Sequence, residues 1–431
     1  MAAAETAGRG PLETLGSVLV VGGGITGITA ALEAAESGAD VYLVEKTPWL
    51  GGRVAQLAKY FPKLCPPTCG IEINLRRLRD NPRVRVMTLA EVSEIRGEAG
   101  RFSVDVRLAP RFVNDRCTAC GLCTEVCPVD RPDAFNYGMS TTRAIYLGHT
   151  MAYPVKYAID PDTCRFEECG ACVEVCPYGA IDLAQGEDTV TLDVGAIIMA
   201  TGWDPYDARA ITNLAYGHYP DVITNVMFER MAALNGPTGG VLKRMSDGRD
   251  VRRVAFIQCA GSRDRLHLEY CSAVCCLGSL KEATYLLDAV PDAQAYMFYI
   301  DLRTPGTYET FAADVLARPG MHAVKGKVAD ILWDPEAGDL VVVADDMLAG
   351  HMTRVPVDLV VLATGMMPSL AHGTPESPIQ VDPDAFVQEM PGSGIFAAGC
   401  ARAPMDVAMA AEDGTAAAMM ALRTLAQVVA R

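Results

Sequence analysis

Cysteines carry the clearest chemical signal in this sequence of 431 residues. The chain contains 15 of them, and most fall into short runs. Two runs share a core in which two residues separate the second and third cysteines, three separate the third and fourth, and proline follows. The runs are Cys117, Cys120, Cys123 and Cys127, and Cys164, Cys169, Cys172 and Cys176. Thiolates in this pattern bind [4Fe–4S] clusters.

In two-cluster ferredoxins the fourth cysteine of each run ligates the other cluster, which predicts two mixed ligand sets. The sets are Cys117, Cys120, Cys123 and Cys176, and Cys164, Cys169, Cys172 and Cys127. The first gap of the second run is four residues instead of two, which lengthens one loop. A zinc site needs only two pairs of ligands, and it explains neither the third cysteine of each run nor the proline. We therefore predict a ferredoxin-like domain with two [4Fe–4S] clusters over residues 106–184.

A third group of cysteines follows the short apolar run 254–257, which predicts a buried strand. Its members, which we call the second-lobe cysteines, are Cys259, Cys271, Cys275 and Cys276. In a protein with two nucleotide-binding lobes, a glycine-rich turn is expected at this position. Buried structural cysteines, or a redox disulfide such as one between Cys271 and Cys275, are alternatives. Four thiols on one strand–turn–helix unit, without other ligand types nearby, best fit a third [4Fe–4S] cluster.

The elements that would hold a nucleotide begin at residue 17. Residues 17–46 have the pattern of a strand, a tight turn, a helix and a second strand, and Gly22, Gly24 and Gly27 form G-x-G-x-x-G in the turn. These glycines permit the turn, the approach of a pyrophosphate and the packing of the helix, whose N-terminus faces the phosphates. Glu45 follows at the end of the second strand, where its carboxylate can accept both ribose hydroxyls. The pattern predicts a dinucleotide site.

Three further motifs favour FAD. The Gly-Gly-Arg at 51–53 resembles the second phosphate contact of glutathione-reductase-like flavoproteins, and the apolar strands within 194–203 and 357–368 each end in Ala-Thr-Gly. In residues 392–418 a strand ends in Ala-Gly, and a following helix would stabilise negative charge on the reduced flavin. Cys400 stands where that family usually has aspartate, which puts the contact to the ribityl chain in doubt. The predicted FAD-binding residues are Gly22, Gly24, Gly27, Glu45, Lys46, Gly52, Arg53, Ala200, Thr201, Gly202, Gly399 and Cys400.

Three cysteines have alternative interpretations. Cys400 is either a buried apolar filler or a functional thiol. Cys65 and Cys69 are flanked by prolines. They fit a structural or flavin-adjacent pair, or a pair that is redox-active or binds metal.

Composition and charge limit the classes of function. Half of the residues are hydrophobic and the net charge is −16, which argues against a nucleic-acid-binding surface. The start of the chain lacks the pattern of an export signal, and no apolar run is long enough for a membrane span. We therefore expect a cytoplasmic protein that associates with a membrane only through partner subunits. No Ser/His/Asp or Cys/His arrangement is visible, which disfavours acid–base catalysis on an organic substrate.

The stretch IQCAGSRD…YCSAVCC…K, which ends at Lys281, is similar to the family of heterodisulfide reductase A subunits. The resemblance implies an α/β, thioredoxin-reductase-like, two-lobe FAD flavoprotein with an inserted two-cluster ferredoxin domain, and a cluster on the second-lobe cysteines. It also implies that Lys281 approaches flavin N5, whereas the alternative is a solvated helix lysine. The Gly399-Cys400 pair is typical of the same family. The implied segments are an FAD-binding lobe from 15–105, 185–250 and 356–431, an insert at 106–184 and an NAD-like lobe at 251–355.

Residues 59–84 resemble the A subunit of the quinone-interacting membrane-bound oxidoreductase (Qmo) complex of sulfate- and sulfur-metabolising bacteria. This resemblance implies an electron-transfer protein whose partners are adenylylsulfate reductase, a haem-containing membrane subunit and a second flavin/iron–sulfur subunit. Electron bifurcation or confurcation at the flavin is compatible with that role.

Two other functions stay open. One is an NAD(P)H-dependent FAD/iron–sulfur oxidoreductase similar to the small subunit of glutamate synthase, which would need a second glycine-rich fingerprint that we do not find. The other is a non-catalytic electron-wiring subunit, in which the flavin never contacts a terminal substrate.

Overall fold

The computed structural model describes residues 16–373 and 375–429. Two five-stranded parallel sheets form its framework. Each lobe also contains a three-stranded antiparallel sheet. The outer ends of the first and last predicted segments, residue 15 and residues 430–431, lie outside the described residues.

The helices and strands are numbered in chain order. As far as the end of the insert they are β1 Ser17–Val21, α1 Ile25–Glu36, β2 Asp40–Glu45, α2 Thr68–Asp80, β3 Val84–Thr88, β4 Ala90–Glu98, β5 Arg101–Leu108, α3 Leu122–Val126, β6 Asp130–Pro132, β7 Thr141–Arg143, β8 Ile145–Tyr146, β9 Ala158–Ile159 and α4 Ala171–Val175. Next come β10 Asp188–Val194, β11 Ala196–Met199, β12 Trp203–Pro205, β13 Val222–Thr224, α5 Asn225–Ala232, β14 Arg253–Ala260, α6 Cys275–Ala289, β15 Gln294–Tyr299, α7 Tyr308–Leu316 and β16 Met321–Lys325. The last are β17 Val328–Asp334, β18 Asp339–Asp346, β19 His351–Val357, β20 Leu359–Thr364, β21 Met366–Pro368, β22 Gln380–Val381, β23 Val387–Gln388, β24 Ile395–Ala397 and α8 Val407–Val429. Short 3₁₀ helices lie at Gly52–Gln56, Ala134–Asn136, Phe166–Glu168, Ala208–Ala210, Thr212–Leu214, Ser369–His372 and Gly399–Ala401.

The first parallel sheet, in the order β24-β11-β1-β2-β3, is assembled from three distant parts of the chain. Its central strands are apolar on both faces, as strands covered by helices must be. The helices α1 and α8 pack on one face, where Ala30, Ala34, Ala417 and Ala421 are fully buried. Because these side chains are small, the two helices can approach each other closely.

The second parallel sheet, in the order β13-β20-β14-β15-β16, repeats this plan. The strand predicted at 254–257 is β14, and the helix predicted after Cys276 is α6, which packs Leu280 and Leu286 against Phe256. The two Ala-Thr-Gly strands occupy matching places, since β11 pairs with β1 and β20 pairs with β14. The molecule is therefore a two-lobed α/β protein.

Between β5 and β10 the chain forms a small insert without a large sheet. It contains the short contacting helices α3 and α4 and the two-stranded pairs β6–β7 and β8–β9. Its core holds Phe112, Val113, Ile145 and Ile159, with cysteines packed around them. A core of this size provides little stability by itself, whereas metal binding can supply folding free energy.

Two strands lie in a different lobe from the predicted one. β13 and β20 fall within 185–250 and 356–431, the segments predicted for the FAD-binding lobe, yet both pair inside the second sheet. The reason is that β20 is buried on both faces and needs a parallel neighbour on each side, which β13 and β14 provide. The antiparallel pair of β12 and β21 lies where the chain passes between the lobes.

Candidate flavin and iron–sulfur site

The G-x-G-x-x-G turn joins β1 to α1 in a tightly packed geometry. Gly22 has φ +112°, and a Cβ atom there would lie 2.2 Å from the Ala200 carbonyl oxygen. A Cβ atom on Gly27 would lie 1.8 Å from the Gly22 carbonyl oxygen. The first glycine therefore allows the turn to contact the end of β11, and the third allows α1 to pack against the turn.

The N-terminus of α1 is free for an anionic ligand. Its N-cap residue is Gly24, no side chain of the described residues caps it, and its first turn has no acidic residue. A Cβ atom on Gly24 would meet no atom closer than Gly52 Cα at 3.9 Å, so space is open in front of the helix. Backbone N–H groups and the helix dipole favour a phosphate at such a position. These residues fit the pyrophosphate of a dinucleotide.

The carboxylate of Glu45 lies beside this turn. It is buried and accepts hydrogen bonds from the Gly23 N–H at 2.6 Å and the Thr47 N–H at 2.8 Å. Its position at the end of β2 fits the predicted contact with a ribose. The neighbouring Lys46 side chain is exposed.

Arg53 connects three parts of the chain. Its guanidinium donates to the Trp203 carbonyl at 3.2 Å and to the Tyr137 hydroxyl at 3.1 Å, and it pairs with Asp204. These acceptors come from the insert and from the residues after β11. The predicted phosphate contact of Arg53 stays a prediction, because protein groups accept from each of its guanidinium nitrogens.

The end of β11 shows a polar atom that fits a ligand. Thr201 Oγ1 is buried and has no hydrogen-bond partner among the described residues. Gly202, which follows it, has φ +73° and open space where a Cβ atom would lie. Buried hydroxyls are normally hydrogen-bonded, so this one suits a bound group that supplies the partner.

At the closing flavin motif, Cys400 is part of an apolar cluster with Met366, Met405 and Ala410. Burial raises the pKa of its thiol to about 11, which fits the predicted buried filler. Although Cys400 replaces the usual aspartate, another carboxylate lies beside this motif. Asp413 of α8 accepts a hydrogen bond from the Gly399 N–H at 2.8 Å. The sequence pattern does not reveal this residue, since it lies 14 positions downstream.

Two cavities in the insert bring together the cysteine sets predicted for the two clusters. One pocket is lined by Cys117, Cys120, Cys123 and Cys176. A second pocket is lined by Cys127, Cys164, Cys169 and Cys172. Within the described part of the chain, no three His, Cys, Asp or Glu side chains converge on the position of a single metal ion. Cluster ligands surround a larger body, and the cavities have that arrangement.

The first cysteine of each run has the same local backbone. Ala119 and Phe166, each two residues after such a cysteine, have positive φ and donate their N–H to Cys117 and Cys164 sulfur at 3.4 and 3.3 Å. Hydrogen bonds to sulfur are one of the factors that set cluster potentials. Burial raises the pKa of the Cys123 thiol to about 11. Because ligands must be deprotonated, binding iron there releases protons.

The second-lobe cysteines lie between the end of β14 and the start of α6. Cys259 has φ +57° at an irregularity in the pairing of β14, and Cys275 and Cys276 are buried in the first turn of α6. Burial raises the pKa of the Cys275 thiol, and the thiols of Cys276, Cys259 and Cys271 raise it further. All four sulfur atoms are thus neighbours.

Lys281 is buried, so the alternative of a solvated helix lysine does not hold. Its side chain is 6% exposed, and Nζ lies 2.8 Å from Glu229 Oε1 and donates to the Lys59 carbonyl at 2.6 Å. The other oxygen of Glu229 accepts the Ala58 N–H at 2.8 Å. This ion pair clamps the segment that follows the Gly52–Gln56 helix.

Sequence reasoning missed the carboxylates around Lys281. Glu229 lies on α5 and Glu282 is the next residue on α6, and both are buried. Burial, and then the Glu229 carboxylate, raises the pKa of Glu282 well above its ordinary value. A second buried carboxyl group with a raised pKa therefore lies beside the ion pair. The sequence signal was two adjacent charged residues on each helix, Glu229-Arg230 on α5 and Lys281-Glu282 on α6.

Models of known protein families match three parts of the chain. Residues 17–65 match the FAD dependent oxidoreductase family, and residues 110–130 and 161–179 each match a 4Fe-4S binding domain. The fold and the site therefore define an FAD-dependent oxidoreductase with two ferredoxin-type [4Fe–4S] domains.

Curated relatives narrow the class. The chain is 38% identical over 413 residues to the iron–sulfur A subunit of CoB–CoM heterodisulfide reductase from Methanocaldococcus jannaschii, covering 91% of this chain and 61% of the relative. An A subunit of the same enzyme from Methanopyrus kandleri is 39% identical over 417 residues, covering 92% and 62%. The chain is thus a homologue of the heterodisulfide reductase A subunits, as its cysteine motifs predict, and spans about three fifths of those relatives' length.

Solved structures support the predicted thioredoxin-reductase-like fold. Thioredoxin reductase of T. acidophilum has a TM-score of 0.51 at 14% identity, covering 95% of this chain and 98% of that one. Thioredoxin reductase of Lactococcus lactis gives the same TM-score and identity, covering 96% and 99%. Among the described residues, no helix is long and apolar enough to cross a membrane.

Proposed function

We propose that the protein is an electron-transfer flavoprotein in which FAD in the first lobe exchanges electrons with three [4Fe–4S] clusters. FAD supplies a centre that accepts two electrons and can release them singly. The insert would hold two clusters and the second-lobe cysteines the third. The observation that carries this proposal is the loop at Cys271. Ala273 has φ +59° and donates its N–H to Cys271 sulfur at 3.4 Å, which repeats the geometry of both ferredoxin runs.

The geometry after β14 disfavours NAD(P)H in the second lobe. In the first lobe, α1 begins at Ile25, four residues after β1 ends at Val21. In the second lobe, α6 begins at Cys275, fifteen residues after β14 ends at Ala260. The helix N-terminus that would bind a pyrophosphate is therefore not joined to the strand by a short glycine turn.

Lys281 is proposed to act at the flavin, in line with the family resemblance. Its contact with the Lys59 carbonyl places the ammonium group against the segment that follows the Gly-Gly-Arg motif. An ammonium group there would stabilise negative charge on reduced FAD or hold a proton near N5. We expect Lys281→Met to lower the flavin reduction potential, and Lys281→Arg to retain part of the effect. Unchanged potentials in both variants would contradict this role.

A count of cofactors tests the proposal directly. Three clusters of four irons predict about twelve irons per FAD, whereas about eight would remove the third cluster. In Cys275→Ser we expect loss of about four irons, with the ferredoxin-type signals retained in redox-poised EPR spectra. Cys400→Ser is the matched control, because that buried thiol lies outside the three groups, and it should keep every cluster.

Turnover measurements separate the alternative functions. Rapid NAD(P)H oxidation by the isolated, iron-replete protein would favour the oxidoreductase similar to the glutamate synthase small subunit. Absence of any activity without partner subunits would favour the electron-wiring role.

We further propose that the electrons pass between a membrane quinone-linked partner and adenylylsulfate reductase. A second flavin/iron–sulfur subunit and a haem-containing membrane subunit would complete the complex. The similarity of residues 59–84 to the Qmo A subunit supports this.

The names of the curated relatives favour a second candidate, a complex acting on CoB–CoM heterodisulfide. Electron transfer to adenylylsulfate reductase no faster than to an unrelated ferredoxin would exclude the first candidate.

A further inference from the structure

The pair Cys65 and Cys69 belongs to none of the three groups of cluster ligands. Cys65 is partly buried in the loop before α2, and Cys69 is exposed in the first turn of that helix. Tyr60 packs beside this turn. It forms an antiparallel bridge with Cys65 and accepts the Leu64 N–H, while its hydroxyl is so close to Gly70 that a Cβ atom there would lie 2.5 Å away.

The two thiols are in contact. A side-chain hydrogen bond that Cys69 donates to Cys65 raises the pKa of Cys69, and burial together with the Cys65 thiol raises the pKa of the Tyr60 hydroxyl. The chain between the thiols is a single turn, closed by a hydrogen bond from the Cys69 N–H to the Pro66 carbonyl at 3.0 Å. Two prolines in this turn restrict its backbone, so the thiols are held together before any reaction.

The segment that leads to the pair is fixed at its other end. The Ala58 N–H and the Lys59 carbonyl bind the buried Glu229–Lys281 ion pair. The cysteine pair therefore lies on a segment that is anchored at its other end. The Cys69 thiol is exposed to solvent and the Cys65 thiol is partly buried. Exchange of electrons with an external disulfide requires this arrangement of an attacking and a resolving thiol.

We propose that Cys65 and Cys69 form a thiol–disulfide exchange site for a small solvent-borne disulfide. The Cys69 thiolate attacks one sulfur of the external disulfide, whose S–S bond breaks, and the first thiolate leaves and takes up a proton. Cys65 then loses its proton and attacks the Cys69 sulfur, which releases the second thiol and closes the Cys65–Cys69 disulfide. In sum, two protein thiols are oxidised and one disulfide is reduced to two thiols.

Trypsin makes this pair easy to follow, because cleavage after Lys63 and Arg76 yields the peptide LCPPTCGIEINLR with both cysteines and no others. The holoprotein is equilibrated anaerobically with defined ratios of reduced to oxidised glutathione, alkylated, and examined by mass spectrometry. As the ratio falls, we expect the doubly alkylated peptide to be replaced by an unalkylated one whose mass is two hydrogens below that of the free dithiol peptide. The iron content should stay constant.

Two matched variants assign the roles. Cys65→Ser should trap the glutathione adduct on Cys69, at least about tenfold more than Cys69→Ser traps it on Cys65, because only Cys69 is exposed. Since the hydrogen bond that Cys69 donates to Cys65 raises the pKa of Cys69, adduct formation should accelerate with rising pH. The proposal would be overturned if the peptide stays doubly alkylated at every ratio. Equal amounts of adduct in both variants, or iron bound to Cys65 and Cys69, would also overturn it.

Discussion

Gly24 and Gly27 of the first turn are expected to have different roles, because an added methyl group would meet different surroundings at each. On Gly27 it would lie 1.8 Å from a backbone oxygen, whereas on Gly24 it would meet nothing closer than 3.9 Å. Overpacking that cannot relax costs about 1–3 kcal/mol, so we expect Gly27→Ala to lower the free energy of unfolding by at least this much. Gly24→Ala should fold normally but bind FAD about tenfold or more weakly, because the methyl group enters the space for the pyrophosphate.

Thermal unfolding followed by circular dichroism, and FAD titration of the apoprotein, distinguish the two effects. Each variant is the control for the other. Wild-type affinity in Gly24→Ala would mean that the phosphates do not approach this glycine.

His149 provides a residue whose titration should couple to stability. It stacks on Phe135 at 4.8 Å, and burial lowers its pKa to about 4. Below its unfolded pKa of about 6.5, the unfolded chain binds a proton that the folded protein excludes, so stability falls as the pH falls. Between pH 7.5 and 5.5 this group should remove about 1 kcal/mol from the free energy of unfolding.

His149→Phe keeps the stacked ring and removes the titrating group. We expect its stability to change less over the same pH interval than that of the wild type, measured by urea unfolding of both proteins. The comparison uses the difference in slope, so any pH-independent loss of stability caused by the substitution cancels. Identical slopes would show that His149 has the same pKa in the folded protein as in the unfolded chain.

At the scale of elements, three cysteine loops share one conformation, and this makes their variants comparable. Ala119 and Ala273 both have positive φ and both donate an N–H to the sulfur two residues earlier. Proline has no N–H and a fixed negative φ, so Ala273→Pro should abolish both features. We expect it to lose the second-lobe cluster, and Ala119→Pro to lose a ferredoxin-type cluster.

Glycine is the matched control at each position, since it adopts positive φ and keeps the N–H. Ala273→Gly and Ala119→Gly should retain their irons. Iron analysis and EPR spectra of the four variants give the result. An Ala273→Pro protein with a full iron content would remove the analogy between the second-lobe loop and the ferredoxin runs.

The elements also show what the sequence can predict. The strand–turn–helix at Gly22, the strand β14 and the helix α6 follow from local patterns, because turn glycines and apolar periodicity act over a few residues. The lobe to which β13 and β20 belong does not, since it depends on which strands pair. The roles of Glu229 and Asp413 could not be predicted from the sequence for the same reason. Their partners Lys281 and Gly399 are brought to them by tertiary packing.

At the scale of the whole molecule, charge should govern how external electron donors approach. The net charge is −16, and α3 and α4, which carry cysteines of the two insert cavities, add Glu125 and Glu174. A field of this sign attracts cations and repels anions over distances comparable with the Debye length. Raising the ionic strength from about 0.01 to 1 M shortens that length from about 30 to 3 Å.

We therefore expect a cationic viologen to reduce the protein faster at low salt, with a rate constant that falls about tenfold or more over this range. A sulfonated quinone, which is anionic, should show the opposite trend because screening removes its repulsion. Stopped-flow absorbance of the flavin and clusters measures both, and an uncharged mediator serves as the control. Equal salt dependence for the two charged donors would mean that the electrons enter at a surface where the local potential is not negative.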